Sequence, residues 1–405
     1  MNRILVGLSV GSGLEGADVV VVRADGVGLE LKSQVIKAGR VPFPPSARDH
    51  IRNIGGKETP GSSTHHPALT RNIAETAIHA AHAAVIQSGI SSRDVFIIGL
   101  LEPARPVSEL PIAWSEIADR IAEHSGITVV HSFRSRDRAA GGSGHPIAAA
   151  ADYLLFKSNT EERLLVNLGA VTSLLLVTPK MKKVSDVLGF EAGPGNQLLD
   201  ALVYHGTRGR EWIDSGGKKA VQGKCLEPLL ARWLDHPHIT RTPPKSIHPE
   251  AFARSFLLAA FDTARQIGAG LPDLLCTATH LVAHVIGESV RKWLPAPVAP
   301  RRVLVSGGGV RNGFLWQRVS QQFEGTNLER VDSVGIAPLS RNAVGAALLP
   351  ALTCDGIPGN LPLLTGATGG RLIGHIAPGD GRNWARCVSW IADQTGDYPR
   401  LNRAA

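Results

Sequence analysis

The stretch Val-Leu-Gly-Phe-Glu-Ala-Gly-Pro-Gly-Asn-Gln-Leu-Leu-Asp, residues 187–200, joins a short apolar run to a segment whose apolar residues fall at helical spacing. An acid, Glu191, ends the apolar run, and residues 193–195 form a Gly-Pro-Gly turn before Asn196, a residue type that favours the N-cap of a helix. A glycine turn that opens a helix can present backbone N–H groups to an anion. We therefore interpret Glu191 as a candidate proton acceptor beside an anion site. A capped loop with a solvated glutamate is the alternative.

The composition restricts the class of protein. A chain of 405 residues with 43% hydrophobic and 19% charged residues can bury a large core, and its length favours two domains. The net charge of +8 suits acidic ligands. Because the basic residues are scattered, with neither a long basic run nor interleaved aromatic residues, we do not expect nucleic acid as a partner.

The cysteines and the apolar segments indicate the compartment. The four cysteines lie far apart in the sequence: Cys225, Cys276, Cys354 and Cys387. This spacing favours reduced thiols over a disulfide framework or a zinc site. The apolar run at residues 4–10 is too short for a signal peptide, and no stretch approaches the roughly 18 to 20 apolar residues of a membrane span. We expect a cytoplasmic protein that does not bind membranes.

The N-terminal region predicts a glycine-rich hairpin. Residues 3–10 and 17–22 are predicted strands joined by residues 11–16, and no helix follows the glycines, which excludes the Rossmann fingerprint and the P-loop. Glycines would let backbone N–H groups point into one concavity around a phosphate. Ser12 could add a hydroxyl, and Asp18 could hold a metal or its waters. An ordinary glycine-rich hairpin is the alternative.

A second hairpin repeats this layout. Residues 164–168 and 171–177 are predicted strands that turn at Gly169. Two such hairpins, one early in each half, predict an internally duplicated architecture that grips a polyphosphate from two sides. Residues 302–305 form a further strand, which runs into a glycine turn at 306–312 and then a helix; without a Walker lysine, this turn suits a nucleoside.

A basic cluster follows another predicted strand. Residues 127–133 are predicted to be this strand, and residues 134–138, Arg-Ser-Arg-Asp-Arg, lie at its carboxyl side. Ligands bind at that edge of open α/β sheets, so the cluster suits phosphate or carboxylate. A salt-bridged surface turn is the alternative.

Two polar or proline-rich stretches are predicted to lack regular structure. Residues 42–67 read as a long loop or flap, and the pair His65-His66 within it is more typical of a solvated turn than of a metal site. Residues 358–367 are rich in proline and glycine and are predicted to run over the surface.

Together these turns have the layout of the actin-like ATPase and sugar-kinase superfamily, and the chain resembles the anhydro-N-acetylmuramic acid kinase family from residue 5 to about residue 379. Seven blocks in the family's order carry the resemblance: GLSVGSGLEGAD (7–18), FRSRDRAAGGSG (133–144), NLG (167–169), GFEAGPGN (189–196), PPKS (243–246), SGGGVRN (306–312) and GIPGNLP (356–362).

The resemblance implies a fold and a reaction. The fold is α/β, a two-domain actin-like ATPase fold of duplicated ribonuclease H-like architecture, with ATP and Mg²⁺ in the interdomain cleft and a homodimer as the assembly. We predict an N-terminal domain over residues 1–155 and a C-terminal domain over residues 156–405, with the C-terminal tail able to pack back on the N-terminal domain. In the implied reaction, water activated by a carboxylate opens the 1,6-anhydro bond of anhydro-N-acetylmuramic acid. The freed O6 takes the γ-phosphoryl group of ATP, a step of peptidoglycan recycling.

The same resemblance assigns candidate site residues. The catalytic candidates are Glu191, the base, which replaces a family Asp, and Arg134, which matches a family arginine at the sugar site. The remaining candidates are predicted to bind the nucleotide: Gly11, Ser12, Gly13, Leu14, Glu15, Gly16, Ala17, Asp18, Asn167, Gly169, Gly193, Gly195, Asn196, Gly307, Gly308, Gly309 and Asn312. Asp18 is also the candidate metal ligand, through water.

Several positions depart from the family pattern and leave a second hypothesis open. Residues 100–104 read Leu-Leu-Glu-Pro-Ala where the family has Ser-His-Gly-Gln-Thr, Ser132 replaces an Asp, and Gly345 replaces a Glu. Both hairpin turns also differ. The first hypothesis is an active kinase that acts on the alcohol group of an amino sugar. The alternative is a catalytically degenerate member that binds nucleotide or cell-wall sugar without turnover, as a sensor or scaffold.

Overall fold

The computed structural model describes residues 2–11, 15–47, 66–103, 112–181, 186–247, 249–252, 254–294 and 300–395. The chain divides into two compact units. Unit 1 comprises Met1–Leu155, Asn342–Leu361 and Ala367–Ala405, and unit 2 comprises Phe156–Arg341 and Pro362–Gly366. The predicted turn residues Ser12, Gly13 and Leu14, and residues 48–65 of the predicted flap, lie outside the described residues.

The strands of the described residues are, in chain order, β1 (Asn2–Val10), β2 (Gly16–Asp25), β3 (Lys32–Pro42), β4 (Val95–Leu101), β5 (Val129–His131), β6 (Arg163–Leu168), β7 (Val171–Val177), β8 (Leu188–Pro194), β9 (Arg302–Ser306), β10 (Asn327–Arg330) and β11 (His375–Ala377). The helices are α1 (Pro67–Gln87), α2 (Trp114–Ser125), α3 (Phe133–Ala139), α4 (Ala149–Phe156), α5 (Asn196–Gly206), α6 (Glu227–Leu234), α7 (Pro237–Thr240), α8 (Arg254–Gln266), α9 (Leu271–Trp293), α10 (Gly313–Gln321), α11 (Arg341–Cys354), α12 (Pro362–Thr365) and α13 (Gly381–Thr395).

Each unit is built on one mixed sheet, and the two sheets have the same topology. In unit 1 the strand order is β3-β2-β1-β4-β5, with β11 added beside β5, and in unit 2 it is β8-β7-β6-β9-β10. In chain order, the first three strands of each sheet, β1–β3 and β6–β8, are antiparallel neighbours. The next two strands run parallel to the first: β4 and β5 to β1, and β9 and β10 to β6. This repetition confirms the predicted duplicated α/β fold.

The sheet of unit 1 is covered closely by α11, because two strands carry glycine where the helix crosses. A Cβ at Gly7 of β1 would lie 1.9 Å from the carbonyl oxygen of Ala343, and one at Gly99 of β4 would lie 1.8 Å from that of Ala346. No side chain fits in that space, so the alanine-rich helix lies directly on the strands. β1 and β4 are accordingly buried along nearly their whole length, as expected for strands covered on both faces.

The last helix of unit 1, α13, is tied to the sheet through polar contacts. The side-chain amide of Asn383 donates to the carbonyls of Val95 and Phe96, and its oxygen accepts from the backbone and hydroxyl of Thr128. Nearby, Arg3 and Asp355 form a fully buried ion pair with contacts of 2.6 and 2.9 Å. These paired groups anchor Asp355 and α13 within unit 1.

Unit 2 packs its sheet around α9, most of whose residues between Leu274 and Ser289 are buried. Among the described residues, no helix is both long and apolar enough to cross a membrane. One predicted strand is shorter than expected: residues 127–133 form a strand only over Val129–His131, because Ser132 adopts a left-handed conformation (φ 52°) and Phe133 begins α3.

Candidate functional site

The predicted base lies in unit 2, on the last strand of the hairpin sheet. Glu191 is 8% exposed on β8. Its backbone N–H donates to the carbonyl of Lys245 at 3.1 Å, and its Oε2 accepts from the N–H of Ile247 at 2.6 Å. The segment 245–247 therefore holds both the backbone and the carboxylate of Glu191. A buried carboxylate fixed by a backbone donor has a defined orientation, which a general base needs.

This holding segment is anchored by a buried lysine. Lys245 is 2% exposed, and its ammonium donates to the carbonyl of Ile239 at 2.8 Å and lies 5.4 Å from the ring centre of Phe190. Burial, with a smaller contribution from the nearby charge of Lys292, lowers the pKa of Lys245 to about 8. Sequence reasoning included Lys245 only within a matching block and gave it no role. The block at residues 243–246 indicated that the segment matters, but nothing in the local sequence predicted its contact with Glu191.

Three glycine-containing turns of unit 2 converge on Leu168, at the end of β6. The side-chain amide of Asn196 donates to the Leu168 carbonyl at 3.0 Å. A Cβ at Gly307 would lie 2.5 Å from that same oxygen, and one at Gly309 would lie 2.6 Å from the Cβ of Leu168. Asn167, beside it on β6, accepts a hydrogen bond from Ser306 at 3.3 Å. The structure thus brings together the candidates of the second hairpin, the helix start and the nucleoside turn.

The start of α5 differs from the prediction in two ways. The N-cap is Gly195 rather than Asn196, whose side chain is used at Leu168 instead. In addition, the N–H groups of Gly195, Asn196 and Gln197 donate to the carbonyls of Gly169 or Ala170 at 2.8–3.1 Å. These amides hold the hairpin turn, so they do not form the open anion site that the Gly-Pro-Gly pattern suggested.

Gly193 and Gly195 are required by close packing. A Cβ at Gly193 would lie 2.6 Å from a methyl carbon of Val285, and one at Gly195 would lie 2.5 Å from the carbonyl oxygen of Gly169. Both glycines therefore shape the site by allowing β8 to approach α9 and the hairpin turn.

The nucleoside turn exposes one of its three glycines. Gly307 has φ 91° and donates to the carbonyl of Pro338 at 3.1 Å, Gly309 is buried, and Gly308 is exposed. Asn312 caps α10, since its Oδ1 accepts from the N–H of Leu315 at 3.0 Å. The backbone at Gly308 is therefore exposed, whereas the side-chain oxygen of Asn312 is used within the protein.

In unit 1, the first hairpin is organised by an ion pair. Arg40 of β3 donates to both carboxylate oxygens of Asp18 on β2, at 2.6 and 2.9 Å, and Glu15 lies 3.3 Å from the same guanidinium. Gly16 and Ala17 are buried in β2, while Gly11 has open space on its side-chain face. Asp18 is thus already paired, and no group of three metal-ligating side chains occurs in the described ranges. Metal binding by Asp18 stays a prediction.

The predicted basic turn of unit 1 is a buried ion pair. Arg134, in the first turn of α3, is 6% exposed. Its Nη1 lies 2.8 Å from the carbonyl oxygen of Glu102 and 3.2 Å from the Oε1 of the same residue. Arg134 is therefore buried and ion-paired, whereas Arg136 and Arg138 of the same stretch are exposed, as the alternative of a surface turn expected. Sequence reasoning named the stretch that contains Glu102 but gave this acid no role.

A second buried acid of α3 fixes the neighbouring glycine loop. Asp137 accepts from the N–H of Gly144 at 2.8 Å and from the side-chain amide of Asn360 at 2.7 Å. Asn360 in turn accepts from the N–H of Arg371 at 2.6 Å. Because Asn360, Leu361 and Leu364 are nearly fully buried, the prediction that residues 358–367 run over the surface was wrong.

Comparisons with known proteins agree along nearly the whole chain. The family model described as anhydro-N-acetylmuramic acid kinase matches residues 3–379. The anhydro-N-acetylmuramic acid kinase of Synechococcus elongatus is 33% identical over 381 residues, which cover 92% of this chain and 98% of that protein. The enzyme of the same name from Xylella fastidiosa is 31% identical over 379 residues, covering 93% and 96%. Among solved structures, the activator of 2-hydroxyisocaproyl-CoA dehydratase from Clostridium difficile with bound ADPNP aligns with 86% of this chain and 94% of its own, at 11% identity and a TM-score of 0.41. That superposition is too weak to bear on function.

Proposed function

Because the chain belongs to the anhydro-N-acetylmuramic acid kinase family, we propose that it converts 1,6-anhydro-N-acetylmuramic acid and ATP into N-acetylmuramic acid 6-phosphate. Water adds at C1 and the C1–O6 bond breaks. O6 then forms a bond to the γ-phosphorus as ADP leaves. The product would return cell-wall sugar to metabolism. The observation that carries the proposal is the buried, oriented carboxylate of Glu191.

Glu191 fits the role of general base on physical grounds. A base must hold one geometry while it takes the proton of the attacking water. The hydrogen bond from Ile247 and the backbone contact with Lys245 restrict the side chain in this way. Glutamate is one methylene longer than the family Asp, and a misplacement of about 1 Å can cost ~10²-fold in rate. We propose that the hydrogen bonds between Glu191 and residues 245–247 compensate for the additional methylene group.

The nucleotide is proposed to use the glycine turns. Gly308 offers an exposed backbone surface for the nucleoside, and Gly11 leaves room beside the first hairpin. ATP supplies the phosphoryl group, and the chain's residues position it. The Mg²⁺ prediction fits the described residues less well, because Asp18 is paired with Arg40. In sites of this kind Mg²⁺ commonly enters bound to the nucleotide phosphates.

A second candidate function is binding without turnover. The ion pairs that engage Asp18 and Arg134 favour it, since both residues would otherwise be available to ligands. In that case the protein would act as a sensor or scaffold for nucleotide or cell-wall sugar.

The deciding experiment is product formation. Purified protein is incubated with Mg-ATP and the anhydro sugar in ¹⁸O-labelled water, and the 6-phosphate is sought by mass spectrometry, with the label expected at C1. Glu191→Gln should lower kcat by about 10²- to 10⁴-fold, the range for loss of a general base. The matched control is Glu116→Gln, a partly exposed acid paired with Arg120, which should retain activity. No product, together with thermal stabilisation by nucleotide, would favour the second candidate. A protein that responds to neither ligand would contradict both.

We also propose that units 1 and 2 are the two functional domains and that the enzyme is a cytoplasmic homodimer. The units share the predicted boundary after residue 155, but residues 342–361 and 367–405, predicted as part of the C-terminal domain, belong to unit 1. Sedimentation at micromolar concentration tests the assembly, with twice the chain mass of 42.9 kDa expected.

A further inference from the structure

One peptide group of unit 2 links the candidate base to a histidine. The N–H end of the peptide between Ser246 and Ile247 donates to Oε2 of Glu191 at 2.6 Å. The C=O end of the same peptide lies 2.7 Å from Nε2 of His238. Because a carbonyl oxygen accepts hydrogen bonds and cannot donate them, Nε2 of His238 carries the hydrogen and is the donor. The histidine, the peptide and the carboxylate therefore form one chain of hydrogen bonds.

The helix that carries this histidine is itself fixed to the segment that holds the base. His238 is half-buried on α7, and its backbone N–H donates to Nδ1 of His236 at 3.2 Å. The ammonium of Lys245 donates to the carbonyl of Ile239, the next residue of α7, at 2.8 Å. Two side chains, one from each side, thus join α7 to residues 245–247. The helix is a support against which this segment is held.

A donor at the carbonyl end of the peptide affects its N–H end in two ways. It fixes the plane of the peptide, so that the N–H keeps one direction, and a general base needs one geometry. Hydrogen bonds in a chain also polarise one another, so a donor at the carbonyl strengthens the N–H as a donor. Both effects act on the same carboxylate oxygen of Glu191. A side chain without a donor at position 238 would lose both.

From this geometry we propose that His238 is a positioning residue for the reaction, which orients the carboxylate of Glu191 through the peptide between Ser246 and Ile247. The inference rests on the proposed kinase function, with Glu191 as the base. Nothing in the sequence around His238 indicates this role, because the contact that carries it is made eight positions further along the chain.

The first test removes the donor or keeps it within reach. His238→Leu should lower kcat about tenfold, near the upper end of what one neutral hydrogen bond contributes. The KM values for ATP and for the anhydro sugar should stay within about twofold of wild type, since the interaction acts on the chemical step. His238→Gln places an amide nitrogen near the position of the histidine Nε2 and should keep kcat within about threefold of wild type.

The matched control is His205→Leu. It makes the same substitution at an exposed histidine of the same unit and should retain the wild-type kcat. Melting temperatures establish that each variant is folded. If His238→Leu does not fold, His238→Asn replaces it in the test. Its amide is one methylene shorter than that of His238→Gln, so it must lose kcat where His238→Gln keeps it.

A double mutant separates positioning from a general structural effect. If His238 acts through Glu191, His238→Leu should change kcat by less than about twofold in the Glu191→Gln background, because the group that it orients is already lost. A purely structural role would instead multiply the two losses. Multiplied losses, or an unchanged kcat in His238→Leu alone, would overturn the proposal in an active enzyme.

Hydrogen exchange measures the same contact without turnover. The Ile247 amide should exchange at least about tenfold faster in His238→Leu than in wild type, and His238→Gln should keep the slow rate. If the wild-type protein forms no 6-phosphate, the proposed kinase function fails, and the exchange rates then decide whether His238 holds the peptide at Glu191. An exchange rate that His238→Leu leaves unchanged overturns the inference in either case.

Discussion

The sheets of the two units share one topology, but a buried carboxylate in each sheet has a different kind of hydrogen-bond donor. In unit 1, Arg40 on the third strand pairs with Asp18 on the second, so both charges are neutralised across the sheet. In unit 2, Glu191 on the third strand receives a backbone N–H from Ile247. An ion pair neutralises a carboxylate with a full opposite charge, whereas a backbone N–H donor fixes the orientation of a carboxylate. The carboxylates of the two sheets are therefore held by different kinds of donor, a guanidinium in unit 1 and a backbone N–H in unit 2.

The largest loss of stability is expected from a substitution in the glycine turns of unit 2. Gly307→Ala would place a Cβ 2.5 Å from the Leu168 carbonyl at a backbone φ of 91°. We expect it to lower the free energy of unfolding by roughly 2–4 kcal/mol, from backbone strain and overpacking together. Chemical denaturation measures the change. The control for stability is Gly308→Ala, whose Cβ would meet nothing closer than 3.4 Å. Equal losses in the two variants would contradict a specific role for the close approach at Gly307.

The buried lysine beside Glu191 predicts a pH dependence confined to unit 2. Burial lowers the pKa of Lys245 from 10.5 to about 8. Between about pH 8 and pH 10.5 the unfolded chain therefore binds more protons than the folded chain at this site, so its contribution to stability rises with pH in that window. The gain should be on the order of 2 kcal/mol.

Denaturation of wild type and Lys245→Met from pH 7 to pH 10 measures this gain, which the variant should lack. Lys218→Met removes an exposed lysine of the same unit and should keep the wild-type profile. Parallel stability curves for wild type and Lys245→Met would show that the charge of Lys245 does not limit stability.

The contribution of the Asp18–Arg40 ion pair of unit 1 to stability should depend on salt concentration. Asp18→Asn removes the partner of Arg40, whose side chain is 35% exposed. Because solvent screens the pair, we expect a loss of only about 1 kcal/mol at low salt, and a smaller one at 1 M salt. Unfolding free energies at the two salt concentrations give the measurement. A loss that is independent of salt would place the effect in packing.

The smallest effect is expected at the neutral contact of unit 2. Asn196→Ala removes the hydrogen bond to the Leu168 carbonyl and should cost about 0.5 kcal/mol. In contrast to Asp18→Asn, its loss should be the same at low and high salt. A salt-dependent loss of stability in Asn196→Ala would contradict the distinction between a neutral contact in unit 2 and an ion pair in unit 1.

The sequence allowed the frame to be predicted because its signals are local. Strands alternate with glycine turns at short range, and the repeated strand–glycine–strand pattern at residues 3–22 and 164–177 predicted the duplication. Glu191 could be chosen because the turn that follows it lies next to it in the chain. What was predicted about the turns themselves was less accurate: the amide hydrogens after Gly195 are used by the carbonyls of Gly169 and Ala170.

The partners of the site residues could not be predicted, because they are distant in sequence. Arg134 meets Glu102 across 32 positions, and Glu191 meets Ile247 across 56. Asn360 reaches Asp137 across 223 positions, which is why residues 358–367 read as a surface segment from their composition alone. Such pairings depend on how the folded sheets bring distant segments together. Composition and periodicity contain no information about these contacts.

The close seating of α11 on Gly7 and Gly99 has a consequence for synthesis on the ribosome. The strands β1 and β4 emerge early, yet the helix that covers them ends at Cys354, after all of unit 2 except residues 362–366 has been translated. Until then an apolar sheet face of the nascent chain has no native cover. Exposed faces of this kind are prone to aggregation, so a chain truncated before residue 341 should require chaperone protection to stay in solution.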